Sequence, residues 1–334
     1  MLKILGDICF ADGYFDRGCG IGSAIKKGAD PFAHLNRQNE DFWIGNFECV
    51  CADADREHFV VGPQDLTTVN HLDMYGVANN HSMQIGEEGY RQTICFLESK
   101  HIQFVGSKES RHSIFTHQNK AVGVIAFSMR PDNFSSEPSY WHLPELSEIG
   151  VEISDIKNCD YRIAFIHWGY EFINRPNIEQ RQLAHWLVDS GIDLVVGMHP
   201  HVAQGAEVYK GKHIFYSLGN SVFNMPWEPT KYGLLLNVDL SCDEVKVWSN
   251  YTKIGDDFFP RITNEVPEKF SRKYLDSLVG NTVENEIYFS EAREYSAQYT
   301  KANRKAVLKR MLSMPVSEKA ALISDFIKRR FLNK

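Results

Sequence analysis

The sequence predicts an α/β fold built in layers. Two observations carry this. Short apolar runs bounded by Gly, Asn or Asp alternate with segments of helical periodicity from about residue 1 to 240. Several runs, such as Val122-Gly123-Val124-Ile125-Ala126, are apolar at every position, which suits strands covered on both faces.

The strand runs are Leu2 to Leu5, Phe42 to Gly45, Met74 to Ala78, Ala121 to Phe127, Arg162 to Ile166, Leu194 to Met198, His213 to Tyr216 and Leu234 to Val238. Between them, Tyr90, Ile94 and Leu97 recur at helix spacing, as do Leu183 with Leu187 and Ala184 with Val188. Near residue 260 the character changes. Beyond it the pattern is helical without strong strand runs, so the expected division is a core of residues 1–258 and a helical extension of 259–334. From Lys301 onward the extension is strongly basic, with Lys328, Arg329, Arg330 and Lys334 near its end. Leu308, Met311 and Leu312, then Leu322, Ile323, Phe326 and Ile327, supply apolar stripes for docking. The basic face is expected to be solvated or to meet an anionic membrane surface or acidic partner.

Composition narrows the class. The 334 residues are 43% hydrophobic and 24% charged, an ordinary globular balance. A net charge of −7 argues against general nucleic-acid binding. Seven scattered cysteines fit a reduced protein better than a disulfide framework. With neither a leader-like start nor a long apolar stretch, the expectation is a cytoplasmic protein.

The chemistry gathers where strand runs end. Gly197-Met198-His199-Pro200-His201 follows Asp193-Leu194-Val195-Val196. If the backbone stays extended there, His199 and His201 point to one side. His167 follows Ile163-Ala164-Phe165-Ile166, at the edge where α/β sheets place ligands. Alone, such a His is more often structural; beside the first pair, the balance reverses. Asn80 and His81 follow Val77-Ala78, Glu48 follows Phe42-Trp43-Ile44-Gly45, and Asp7 follows the first run. Carboxylates with several imidazoles suit Mn, Fe or Zn, singly or as a close pair of ions. Such a site hydrolyses esters or amides. It also serves proton transfer at carbon in an isomerase or epimerase, and a non-catalytic subunit can retain the same residues.

The segments Gly6-Asp7, Asn46-Phe47-Glu48, Ala78-Asn79-Asn80-His81, His167-Trp168-Gly169-Tyr170-Glu171, His199-Pro200-His201 with Gln204, and Tyr216-Ser217-Leu218-Gly219-Asn220 resemble the CapA family of bacterial capsule and poly-γ-glutamate synthesis. That family looks like a branch of the calcineurin-like metallophosphatases. The resemblance covers about residues 1 to 240. It implies a four-layer α-β-β-α sandwich with two divalent metals, and a polymer, peptide or phosphoester substrate. Asp7 and His201 would hold the first metal, Glu48 would bridge, and Asn80, His167 and His199 would hold the second. His81 would be the general acid, and Glu171 would orient a ligand from behind. Asn46, Trp168, Gln204 and Asn220 are expected to line the substrate pocket. Departures are Cys9 where metallophosphatases carry a His, Glu48 for Asp, Gln84 for an Asp, and Asp12 for a basic residue. Cys9 is expected to be a buried structural thiol.

Overall fold

The chain lays down one sheet, then a second, then returns to widen the first. The first passage gives β1 (Leu2–Ile8), α1 (Ile21–Lys26), β2 (Phe42–Phe47), β3 (Val50–Cys51), β4 (Val60–Val61), β5 (Met74–Gly76), α2 (Gly86–Ser99) and β6 (Gln103–Val105). The second gives β7 (His112–His117), β8 (Lys120–Ser128), α3 (Leu146–Asp155), β9 (Tyr161–His167), α4 (Ile178–Asp189), β10 (Leu194–Met198), β11 (Ala206–Tyr209) and β12 (Lys212–Phe215). The return gives β13 (Asn220–Val222), β14 (Tyr232–Asp239), β15 (Lys246–Ile254), β16 (Pro260–Thr263), α5 (Arg272–Val279) and α6 (Asn285–Arg310). This computed structural model describes residues 1–324 apart from 14–15, 55–57, 67–68, 282, 313 and 321–322.

The first sheet has the order β16-β15-β14-β1-β2-β5-β6, with β13 also on β1; the second runs β11-β12-β10-β9-β8-β7. Strands β1, β2, β5 and β6 are parallel. So are β8, β9, β10 and β12. Parallel strands end at one edge, and that edge collects the side chains considered below.

Three apolar clusters separate four layers. Leu2, Ile4, Ile44 and Met74 of the first sheet pack with Val124, Ile163, Phe165 and Val196 of the second. Trp43, Phe47 and Tyr75 turn the other way, toward Ile21 and Ile25 of α1 and Phe96 and Leu97 of α2. Ile125, Ala164, Ile166 and Val195 meet Ile149 and Ile153 of α3 and Ala184 and Leu187 of α4. Within β8, Val122, Val124 and Ala126 join one cluster and Ile125 and Phe127 the other, the alternation a pleated strand requires. Truncating a residue such as Ile163, fully buried between the sheets, would cost about 2–5 kcal/mol. The layering is the α-β-β-α sandwich.

Every strand run read from the sequence overlaps an observed strand. The helical tail differs from its expectation. Strand β16 pairs with β15, so the sheet continues past residue 258. Leu308 and Leu312 do not dock; they are 69% and 86% exposed. The docked stripe of α6 is instead Tyr295, Tyr299 and Ala302, at helical spacing on the first cluster. Ile323 is exposed as well. Leu322, Phe326, Ile327, Lys328, Arg329, Arg330 and Lys334 lie outside the described residues.

Candidate metal centre

Asp7 lies near the end of β1, and Glu48 directly follows β2. His167 ends β9, and His199 directly follows β10. Asp7, Glu48, His167, His199 and His201 are almost wholly buried, and Asn80 is 4% exposed. Their donor atoms fall into two groups, Glu48–His167–His199 and Asp7–Glu48–His201, each gathered within 4.8 Å. Glu48 belongs to both. His167 Nε2 and His201 Nε2 lie 3.7 and 3.8 Å from Glu48 Oε1. His201 Nδ1 is 3.5 Å from Asp7 Oδ2, and Asn80 Oδ1 is 2.7 Å from His167 Nε2.

The histidine pair converges by a route the alternation argument missed. His199 has φ 97° and His201 φ 59°. Both are left-handed rather than extended, so a tight turn after β10 aims the rings. Such backbone costs of order 1–3 kcal/mol per residue and persists where its surroundings over-determine it. Here the His199 N–H donates to Asp7 Oδ2 at 3.2 Å, and Phe172 N donates to Pro200 O at 2.8 Å.

An amide network holds the ligands. Asn46 Nδ2 donates to Asp7 Oδ1 at 2.9 Å and lies 3.4 Å from Glu48 Oε2. Asn79 Nδ2 donates to Asn46 Oδ1 and to Phe47 O, and Asn79 Oδ1 accepts from His81 N. Asn220 Oδ1 is 2.9 Å from His201 Nδ1, which leaves Nε2 facing Glu48. Asn46 and Asn220 therefore orient ligands. Gln204 is fully buried and donates to Ile173 O and Arg175 O, fixing the loop before α4. Trp168 packs in the third apolar cluster, donates to Tyr216 O at 2.9 Å, and borders an adjoining cavity beside α4.

Glu171 also differs from its expectation. Among the described residues it makes no hydrogen bond to a ligand histidine; it lies on a cleft beside the centre. Cys9 is buried in the first apolar cluster and stands outside both donor groups. His81 is partly buried, packed at 4.3 Å against Phe59 with the rings tilted, and its Nδ1 lies 2.9 Å from Gln84 Oε1. If Nδ1 donates there, Nε2 is the nitrogen that exchanges a proton. Gln84 thus orients His81 without adding a charge.

The electrostatics describe a site built for a cation. Burial drives Asp7 up to about 6 against the hydrogen bond from Asn46. Burial, then the neighbouring Asp7 charge, pushes Glu48 far above the carboxylate range. Burial holds His201 down to about 3, and holds His167 and His199 well below their ordinary value, with neighbouring charge on histidines and Arg130 adding to it. Glu48 Oε1 and both ring nitrogens of His199 are buried without a hydrogen-bond partner. Buried polar atoms are rarely left so. A divalent ion answers each orphan at once: it stabilises carboxylates and accepts neutral imidazoles. The donor set fits such an ion.

Arg130, Asn79 and Gln84 were given no role in the sequence reading. Arg130 had a usable signal, because it follows the strand run Ala121 to Phe127 as closely as the ligands follow theirs.

Fold and site together define a layered α-β-β-α protein with a buried carboxylate–histidine centre at its strand ends. The chain belongs to the family of the bacterial capsule synthesis protein PGA_cap, which matches residues 2–225. It is 31% identical over 239 residues to the capsule biosynthesis protein CapA of Bacillus anthracis, covering 63% of this chain and 57% of that one. It is 30% identical over 244 residues to the PGA biosynthesis protein CapA of Bacillus subtilis (strain 168), covering 64% and 62%. The chain thus spans less than two thirds of the length of these relatives. Similar solved structures include a phosphatase from Mycoplasma pneumoniae, with TM-score 0.48, 11% identity, and 75% and 92% of the two chains covered. Another is a 5′-nucleotidase, described as putative, from Staphylococcus aureus, with TM-score 0.45, 14% identity, and 83% and 58% covered.

Proposed function

We propose that the chain is a metal-dependent hydrolase of a phosphoester or amide bond, acting in the synthesis or processing of a capsule-type, poly-γ-glutamate-like polymer. The observation that carries this is the sharing of Glu48 between two donor groups. That arrangement suits two ions held close together, the geometry used to clamp both oxygens of a displacement. Names of relatives supply the polymer: capsule and PGA biosynthesis.

Asp7 and His201 would hold one ion, His167, His199 and Asn80 the other, with Glu48 between. When bound, divalent metal supplies Lewis acidity that activates water and polarises the scissile group. Asn46 and Asn220 keep the carboxylates and His201 in place. His81, depressed by burial with the Gln84 hydrogen bond opposing, would take up at Nε2 the proton released by the attacking water and pass it to the leaving atom. Burial of the ligands excludes bulk water.

The test is elemental analysis of the purified protein, then a hydrolysis screen of phosphoesters and γ-glutamyl amides with and without Mn²⁺. Metal-dependent cleavage abolished by His199→Ala or Asn80→Ala is expected. Full activity in rigorously metal-free protein would refute the reading. Stoichiometric metal with solvent deuterium incorporation and no cleavage would replace it with proton transfer at carbon.

A further inference from the structure

We infer that the cleft between α6 and residues 169–172 binds an extended polyanion, and that Arg130 carries the chain's inner end to the metal centre. The inner end rests on the hydrolase reading; binding along the cleft does not.

The cleft is a cavity of about 1060 Å³ with Arg130, Tyr170 and Glu171 on one side and Arg293, Lys301 and Arg304 on the other. That volume lies at the upper end of what an ordinary small-molecule pocket offers. Arg293, Ala297, Lys301 and Arg304 follow the three- and four-residue spacing of one helical face, with Lys305 beside them. From Arg293 to Arg304 this face runs about 16 Å at 1.5 Å per residue.

The cations on this wall are available. Among the described residues, Arg130, Arg293, Lys301, Arg304 and Lys305 form no ion pair with a carboxylate, and neither Arg17 nor Arg310 is part of this set. Two of the three acids of the same helix are engaged elsewhere: Glu291 pairs with Arg175 at 3.1 Å, and Glu294 accepts from Gln298. Yet the whole chain carries −7. Arg293, Lys301, Arg304 and Lys305 on one wall of a cleft in an acidic protein form a local field that attracts an anion carrying several charges.

The cleft lies beside the centre, and Arg130 links the two. Met129 N donates to His167 O at 2.9 Å, so Arg130 stands one residue from that contact. Its guanidinium lies 4.8 Å from the Tyr170 ring centroid. Tyr170 in turn packs edge-on against Tyr288 and Phe289 of α6, at 5.8 and 5.3 Å. Phe172 stacks on Tyr299 at 4.3 Å. The helix is thus braced against the loop that leads from His167, with the cationic face beside it. Glu171, the one acid on the cleft among the described residues, is offset by Arg130. Helix α6 lies beyond the residues matched by the family, so this wall is a feature of the chain's own C-terminal part.

Carboxylates and phosphates would both satisfy these cations. The test measures equilibrium binding of a fluorescein-labelled γ-linked oligoglutamate and of labelled inorganic polyphosphate to the full chain, at low and high salt. The triple variant Arg293→Glu/Lys301→Glu/Arg304→Glu should weaken binding at least about tenfold, with binding falling as salt rises. The exposed control triple Lys27→Glu/Lys100→Glu/Lys157→Glu has the same charge change and should bind as the parent does. A charge-keeping triple, Arg293→Lys/Lys301→Arg/Arg304→Lys, should retain affinity, separating charge from folding. The probe bound more tightly identifies the anion. Equal weakening in both Glu triples, or binding of neither probe to the parent, overturns the inference. Reading the same titration on His199→Ala separates the two proposals. Intact binding without turnover in the parent would refute only the hydrolase; turnover without cleft-dependent binding would refute only the polyanion site.

Discussion

Glu48 is the residue on which both halves of the centre depend, and this gives it a distinct signature. His201→Ala removes a donor from one group and His199→Ala from the other, but Glu48→Gln weakens both. Elemental analysis should therefore find about one ion per chain after either histidine change under conditions that give two in the parent, and close to none after Glu48→Gln. Equal metal content in all three variants would dissolve the shared-carboxylate geometry. Asn220 acts one step back, through His201 Nδ1. Supporting partners of this kind typically contribute 10–100-fold in metal affinity. Asn220→Ala should cost that much at the Asp7–His201 group while leaving the His167–His199 group occupied, read by metal titration. Asp16 offers a test remote from these ligands. It is fully buried, and burial with the nearby Asp12 charge raises it to about 7. Its folded value lies above the unfolded one, so its contribution is intact below about pH 4 and is lost as pH climbs through 7. Asp16→Asn should then raise the melting temperature by several degrees at pH 8, reflecting up to about 4 kcal/mol, and leave it unchanged near pH 4. A flat difference across that range would show that the carboxyl is not protonated in the fold.

At the level of elements, the site depends on where strands stop. The interior strands were legible because they are apolar at every position, the mark of a surface covered twice. Edge strands were not: β7 buries only Phe115, and β11 is nowhere fully buried. Six of the expected donors could be read because each follows a strand run, a positional rule independent of distance in the chain. What positional rules cannot supply is loop geometry. The left-handed turns at His199 and His201, and the amide links from Asn46 and Asn220, depend on backbone that no periodicity encodes. One such crossing is exposed to direct test. A Cβ at Gly6 would fall 1.8 Å from Gly219 O, where the segment leading into β13 meets β1. Asp7 N donates to that same oxygen at 3.0 Å. Gly6→Ala must push β13 and Asn220 away from β1 and should cost about 3 kcal/mol or more. Gly150→Ala, inside α3 with nothing within 4 Å of the added carbon, should instead gain about 0.5–1 kcal/mol. Thermal melts that moved in the same direction for both would contradict the close crossing.

On the scale of the whole molecule, the centre concentrates buried ionisable groups at the ends of the strands. Two carboxylates and three imidazoles sit together almost wholly buried, and the metal-free protein is caught between them. Asp7 is raised to about 6, so its share of stability is present in acid and lost as pH rises from about 4 through 6. His201 is depressed to about 3, so its share is present above about 6.5 and lost as pH falls through 3. Neither extreme satisfies both. A divalent ion does, by replacing the protons that the carboxylates would otherwise hold, and its binding must therefore release protons. The consequence is a metal effect that grows with pH. At pH 5 the ion competes with protons on both Asp7 and Glu48; at pH 8 Asp7, raised only to about 6, has released its proton. Metal at about a hundred times its dissociation constant stabilises a fold by about 2.7 kcal/mol. The rise in melting temperature on adding Mn²⁺ or Zn²⁺ should accordingly be several degrees at pH 8 and much smaller at pH 5, in paired scans of chelator-treated and reloaded protein. His199→Ala/His201→Ala, which leaves the carboxylates but removes an imidazole from each group, should flatten the difference. A metal increment equal at the two pH values, or retained in the double variant, would mean that the ion binds somewhere other than among these five side chains.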